Sequence, residues 1–332
     1  MVRSFITLTA ALALNLTSMV ATNAQSIKWD MPNEYQANSL GGLADQDFIK
    51  VLSEKSGGEI SIEPHFGGAL GYKSSGHFAA VEDGAVPLAH TFGGVLSGVD
   101  PIFQINTIPF LVGNVDEMKT LVDVARPYVD KAFAEGGQKL LYVTPWTPVG
   151  IWAKKPIRTV DELKTIKIRT YDVSGTLTLK KAGAAAIQLS WADVIPAFST
   201  GTIDAVLTSD EGGIASKFWE HTDHFNQLNF TSGLDVTHIN LDTFNALSQE
   251  LQQAVLDAAA EAEAGAWERL RARIGANVET MKENGVTVVG DDTPELLQHL
   301  RNASQVVIDQ WMEAMGEDGK EIMDEYKSRI GN

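Results

Sequence analysis

The chain of 332 residues contains no cysteine. That absence excludes disulfides, thiolate metal sites, cysteine nucleophiles and a lipid-bearing N-terminal cysteine. Basic residues are scarce. There are 26 Lys and Arg against 43 Asp and Glu, a formal net charge of -17. Such a surface repels phosphate backbones and anionic headgroups, which argues against a nucleic-acid partner. A long apolar run is also missing. The most apolar stretch, residues 5–16, is interrupted by threonines and Asn15 and is too short to span a bilayer. Catalytic signatures are lacking as well. Gly93-Gly94 and Gly212-Gly213 have neither a phosphate-loop lysine nor GxGxxG spacing. No serine sits in a GxSxG elbow. His221 and His224 stand three apart without a third ligand in view, which reads as a solvated or capped helix end. The expectation is no enzyme activity, no cofactor and no metal.

What is present begins with an export signal. Arg3 precedes the apolar stretch, and small residues follow at Val20-Ala21-Thr22-Asn23-Ala24-Gln25. This pattern predicts a signal peptide over residues 1–24 and delivery to the periplasm of a Gram-negative cell. The remaining chain, roughly 300 residues, is long enough for two cores. Because the surface is acidic, an anionic ligand would need a local, partly desolvated cation, so each arginine at a strand end becomes a candidate.

Strands and helices alternate. Strands are predicted at 26–31, 59–66, 85–90, 139–143, 150–154, 166–170, 186–189 and 203–208. Between them fall helices at 43–55, 75–82, 160–163, 175–182 and 191–198. Pro145 to Pro148 marks a crossing segment. Repeated β-α-β units predict a parallel-rich α/β architecture with ligands at strand ends. Ser248 caps a proline-free run from Gln249 to about Asn284, roughly 50 Å of helix at 1.5 Å per residue. A helix of that length should cross two lobes. Thr293-Pro294 opens a helix to about Met315, and a short one covers Lys320 to Arg329.

The segment from Lys155 to Ser209 carries a family pattern. It holds Lys155-Pro156-Ile157, Glu162-Leu163-Lys164, Ile168-Arg169, Asp193-Val194-Ile195 and Thr200-Gly201-Thr202-Ile203-Asp204. Gly68-Ala69-Leu70-Gly71-Tyr72 and Ile108-Pro109-Phe110-Leu111 also fit. In this order and spacing the chain resembles the DctP-like solute-binding subunits of tripartite ATP-independent periplasmic (TRAP) transporters, over essentially the whole mature length. The resemblance implies a two-lobed clamshell with mixed sheets and a long helix spanning both lobes. We expect lobe I from 25–145 and 230–265, and lobe II from 146–229 and 266–332. It also implies an ion-gradient-driven permease of one small and one large membrane subunit as partner. A monomer is expected.

By that resemblance Arg169 clamps the ligand carboxylate, a task suited to a planar, always-charged, bidentate guanidinium. Trp191 falls where the family places an aromatic over the ligand. Thr208 departs from the usual asparagine, and its hydroxyl lacks an amide's geometry. Ser209 or Asp210 is then a candidate to share the duty, although Asp210 beside a carboxylate is unfavourable without a compensating group. Phe92, Phe66, Tyr72, His90, Trp146 and Trp152 are further candidates at strand ends and crossing segments. An aromatic-rich, polar-poor cleft favours an apolar or aromatic monocarboxylate. The alternatives are a sugar acid, a hydroxy or keto acid, or a receptor of ABC type.

Overall fold

The computed structural model describes residues 26–290 and 292–331. The expected signal peptide lies outside the described residues. In chain order the strands are β1 (Ile27–Pro32), β2 (Ile60–His65), β3 (Leu88–Phe92), β4 (Gln138–Pro145), β5 (Val149–Ala153), β6 (Lys167–Thr170), β7 (Ala185–Gln188), β8 (Ala205–Ser209), β9 (His224–Asn226), β10 (Leu234–Asn240) and β11 (Thr287–Val289). The structure is a two-lobed α/β clamshell. In one lobe β1 pairs parallel with β2, and β10 runs antiparallel between β3 and β4. A parallel bridge from Asn33 to His90 joins the two pieces. The other lobe holds a mixed sheet in the order β11-β9-β5-β8-β6-β7.

Local chemistry explains these elements. The helix Leu40–Lys55 starts where Ser39 accepts the Gly42 N–H, three residues before the sequence pattern placed it. It packs on the helix Gln249–Glu283 through buried Ala254, Ala258, Ala262 and Ala266, whose small side chains allow close approach. The strand expected at 85–90 lies at Leu88–Phe92, because Pro87 cannot donate to a ladder. The helix Val115–Glu135 and strand β10 were not anticipated.

The expectation of one continuous helix from Gln249 to Asn284 needs correction. The chain leaves helical geometry at Ile274 (ψ 123°) and Gly275 (φ 88°). Gly275 takes a positive φ that a side chain would resist. The last helix, Pro294–Ile330, is broken in the same way at Gly316 (φ 57°). Its first part reaches Ala182 through His299, whereas Trp311 and Tyr326 donate to the carbonyls of Pro101 and Leu111. The crossing segment forms a short ladder between lobes: Trp146 N–H donates to Gly233, Val149 N–H to Thr231 and Phe230 N–H to Val149. None of the helices among the described residues is long and apolar enough to cross a membrane.

Candidate functional site

Arg169 sits near the end of β6, in register with Ile187 of β7 and Val206 of β8. Thr208 lies two residues past Val206 and so shares its face of the sheet. The Arg169 side chain is only 2 % exposed. Its Nε–H donates to the Leu189 carbonyl at 2.9 Å, which fixes the guanidinium plane. Its central carbon lies 5.4 Å from the Trp191 ring centroid. Among the described residues no carboxylate forms an ion pair with it. Burial lowers its pKa, opposed by the nearby Tyr35, Glu34, Tyr171 and Asp172. A buried guanidinium without a counter-ion is costly, so its forked donors call for an anion brought from outside.

The guanidinium faces a narrow chamber, with about 30 Å³ of free space, walled by Tyr35, Phe92, Trp146, Tyr171 and Trp191. Val149, Thr208, Ser209 and Gly233 complete the wall. The rings brace one another. Tyr35 meets Trp146 edge-on at 5.0 Å, Phe92 meets Tyr171 edge-on at 5.2 Å, and Trp191 stacks on Phe218 at 5.5 Å. The Phe92 ring needs glycines beside it, since a Cβ on Gly94 or Gly233 would come within 2.7 Å of the ring. The Tyr171 hydroxyl is buried without a partner among the described residues. Burial, followed by the Asp235 and Glu34 charges, pushes the Tyr35 phenol well above its ordinary value, so it stays a neutral donor.

Several contacts tie the two lobes together at the chamber mouth. Glu34, after β1, accepts the Ser74 N–H at 2.8 Å with one carboxylate oxygen and the Ala192 N–H at 2.9 Å with the other. Lys73 pairs with Asp193 at 2.6 Å, Gln36 accepts from Trp191 Nε1, and Gln104 donates to Ser174. Removing Glu34 leaves two N–H groups unpaired in the closed form. Glu34→Ala is therefore expected to raise Kd for the ligand about 10- to 100-fold, at 1.5–3 kcal/mol per charged hydrogen-bonding group. Calorimetric titration checks this, and an unchanged Kd would show that the latch contributes nothing to capture.

Six expected residues line the chamber: Arg169, Trp191, Thr208, Ser209, Phe92 and Trp146. The other five do not. Trp152 lies inside the second lobe, donates to the Ser209 carbonyl, and packs against Phe218 and Phe225. Asp210 turns away to Thr147 and Asn277, which satisfy it. His90 is wholly buried between Asp45 and Asp235, one layer behind the chamber. Tyr72 packs beside the small cluster of Ala80, Val81, Val86 and Ala89. Phe66 starts the turn Phe66–Gly68 outside the chamber. Sequence reasoning missed Tyr35, Tyr171, Val149 and Gly233. For Tyr171 there was a signal, since it directly follows the Arg169-Thr170 strand end.

Two lobes clasping a buried arginine define a solute receptor of the periplasmic binding type. Residues 33–314 match the model of the bacterial extracellular solute-binding protein family 7, DctP, and the chain belongs to that family. It is a TRAP-type solute-binding protein, similar over most of its length to characterised relatives. The ectoine-binding periplasmic protein TeaA of Halomonas elongata is 26% identical over 94% of this chain and 92% of its own. The Bordetella pertussis extracytoplasmic solute receptor DctP7, binding pyroglutamic acid, is 28% identical with a TM-score of 0.88, covering 91% of this chain and 100% of that one. A marine metagenome TRAP solute-binding protein in complex with co-purified pyroglutamate is also 28% identical, with a TM-score of 0.87, covering 92% and 99%.

Proposed function

We propose that this chain captures a compact cyclic carboxylate of the pyroglutamate class and delivers it to a TRAP permease. The observation that carries this reading is the buried Arg169, which pairs with no carboxylate among the described residues and faces a narrow aromatic chamber. The carboxylate would lie on the Arg169 fork. Trp191, Phe92 and Trp146 would cover the ring, and Thr208 with Ser209 would take the place of the family's asparagine. Tyr35 and Tyr171 add two neutral hydroxyls. A sugar acid is a poorer fit, since it needs a hydrogen-bonding side chain for nearly every hydroxyl. The receptors at 28% identity that bind pyroglutamate support the same ligand class.

In this reading residues 1–24 direct export and the mature chain acts as a periplasmic monomer. It performs no chemistry and returns its ligand unchanged. The lobes formed by 25–145 with 230–265, and by 146–229 with 266–332, move about the Trp146–Phe230 crossings and the break at Gly275. Ligand binding favours the closed form because only that form surrounds the carboxylate. The closed form then engages the small and large permease subunits.

The test is mass spectrometry of solute released by denaturing the purified protein, followed by calorimetric titration of the refolded protein. Saturable binding of L-pyroglutamate, with the solute recovered intact, is the expected result. Binding confined to uronic acids, or conversion of the solute, would overturn the proposal.

A further inference from the structure

A buried charged triad stands directly behind the chamber, and the carboxylate clamp does not account for it. His90 Nδ1 is 2.8 Å from Asp45 Oδ1, and His90 Nε2 is 2.9 Å from Asp235 Oδ2. Asp45 is fully satisfied, since it also accepts from Tyr142 Oη at 2.6 Å and from Asn33 Nδ2 at 2.7 Å. Asp235 is not. Its Oδ1 is buried and has no hydrogen-bond partner among the described residues. Trp146 Nε1 is buried without a partner among them as well. The indole N–H is close enough to help hold the Asp235 charge, yet the contact falls short of hydrogen-bond geometry.

The two residues stand next to the chamber, Trp146 in its wall and Asp235 directly behind it. Asp235 is paired in register with Phe92 across β10 and β3, so both side chains lie on one face of that sheet. Phe92 lines the chamber, as does Gly233, which immediately precedes β10 and lies two residues before Asp235. Trp146 lines it too. A buried acceptor beside a buried donor, both unpaired, is the complement of an edge bearing one N–H and one C=O. The triad also fixes the sign of the charge. Two carboxylates and one imidazolium leave an excess negative charge, which repels a second carboxylate on the ligand and attracts an N–H.

We propose that Asp235 and Trp146 read an amide edge of the ligand, Asp235 Oδ1 accepting its N–H and Trp146 Nε1–H donating to its C=O. Asp45 and His90 act as positioning residues that hold Asp235 in place. The ligand class narrows to a cyclic amide with its carboxylate on the Arg169 side. This assignment rests on the receptor reading above, and the test separates the two.

The probes are L-pyroglutamate and its ring-oxygen analogue, 5-oxotetrahydrofuran-2-carboxylate. The analogue keeps the carboxylate and the C=O and replaces only the N–H with an ether oxygen. Wild-type protein is expected to bind the lactam roughly 100-fold more tightly than the lactone, because a site built around an N–H rejects the analogue lacking it. In Asp235→Asn the amide can turn its NH₂ to the ring oxygen, so the ratio should shrink to a few-fold. Trp146→Phe should weaken both compounds equally and leave the ratio unchanged. Equal wild-type binding of lactam and lactone overturns the amide-edge assignment alone. So does an Asp235→Asn variant that keeps the full ratio. Wild-type protein that binds neither compound overturns the ligand class and this assignment together. The wild-type ratio needs no variant, so the proposal stays testable even if Asp235→Asn does not fold.

Discussion

Arg169→Ala is expected to lower ligand affinity by about 2–5 kcal/mol, the loss seen when one partner of a buried charged pair is removed. That corresponds to roughly a 30- to 5,000-fold higher Kd. The same substitution should not destabilise the protein without ligand. Arg169 is 2 % exposed and pairs with no carboxylate among the described residues, so the folded state bears the desolvation of an uncompensated charge. Unliganded Arg169→Ala should therefore melt at or above the wild-type temperature. Arg169→Lys should bind at an intermediate level, because an ammonium keeps the charge but not the fork. Titration calorimetry and thermal unfolding of protein refolded free of ligand supply both readings. Full affinity in the alanine variant would remove Arg169 from the site. Lost affinity accompanied by a large drop in melting temperature would make its role structural.

The second large effect is on stability against pH. Burial alone would depress the His90 imidazole, but Asp45 and Asp235 overcome it and carry the pKa to about 10. A histidine in the unfolded chain titrates near 6.5. The raised folded value means that the triad's stabilisation is complete below about pH 6.5 and is lost as pH rises toward about 10. The other shifted histidines, Asp172 and the buried tyrosines leave the interval between pH 7 and 9 clear. His77, held at about 4, and His238, also lowered by burial, are neutral there in both states. Asp172, raised to about 6 by burial, has finished titrating by pH 7. Tyr35, Tyr142 and Tyr171 are raised above their ordinary 10 and begin to matter only above this interval. Stability is expected to fall by a few kcal/mol across the interval, or roughly 5 °C in melting temperature. His90→Gln should flatten the slope. A wild-type melting temperature constant from pH 7 to 9 would show that His90 is not held as an imidazolium.

The position of Arg169 in the chamber wall was readable in the sequence, because the family pattern from Lys155-Pro156-Ile157 to Thr200-Gly201 brackets it near the end of a short strand. Residues on β3 show where such reading stops. His90 and Phe92 point to the same face, yet Phe92 reaches the chamber and His90 lies behind it. What separates them are Asp45 and Asp235, the latter 145 residues away in sequence. Trp152 failed for another reason. Every residue of β5 is buried, so no alternation of polar and apolar positions distinguishes its faces. Tyr35 lies in a turn after β1, where no periodicity places it. The break at Gly275 was missed because a glycine inside a helical pattern is often tolerated, and only tertiary context decides whether the helix stops there.

The order of strands in the first lobe bears on how the molecule is made. Its central strand, β10, lies between β3 and β4 but comes from residues 234–240. Pairs such as His90 with Thr237 join positions 147 residues apart. A chain emerging N-terminus first therefore cannot complete this lobe until more than two thirds of it has appeared, and closing such distant pairs is slow. Until then β3 and β4 lack the strand that joins them, so the growing chain is expected to stay loosely folded in this lobe. The placement of one strand thus ties completion of this lobe to the late part of synthesis.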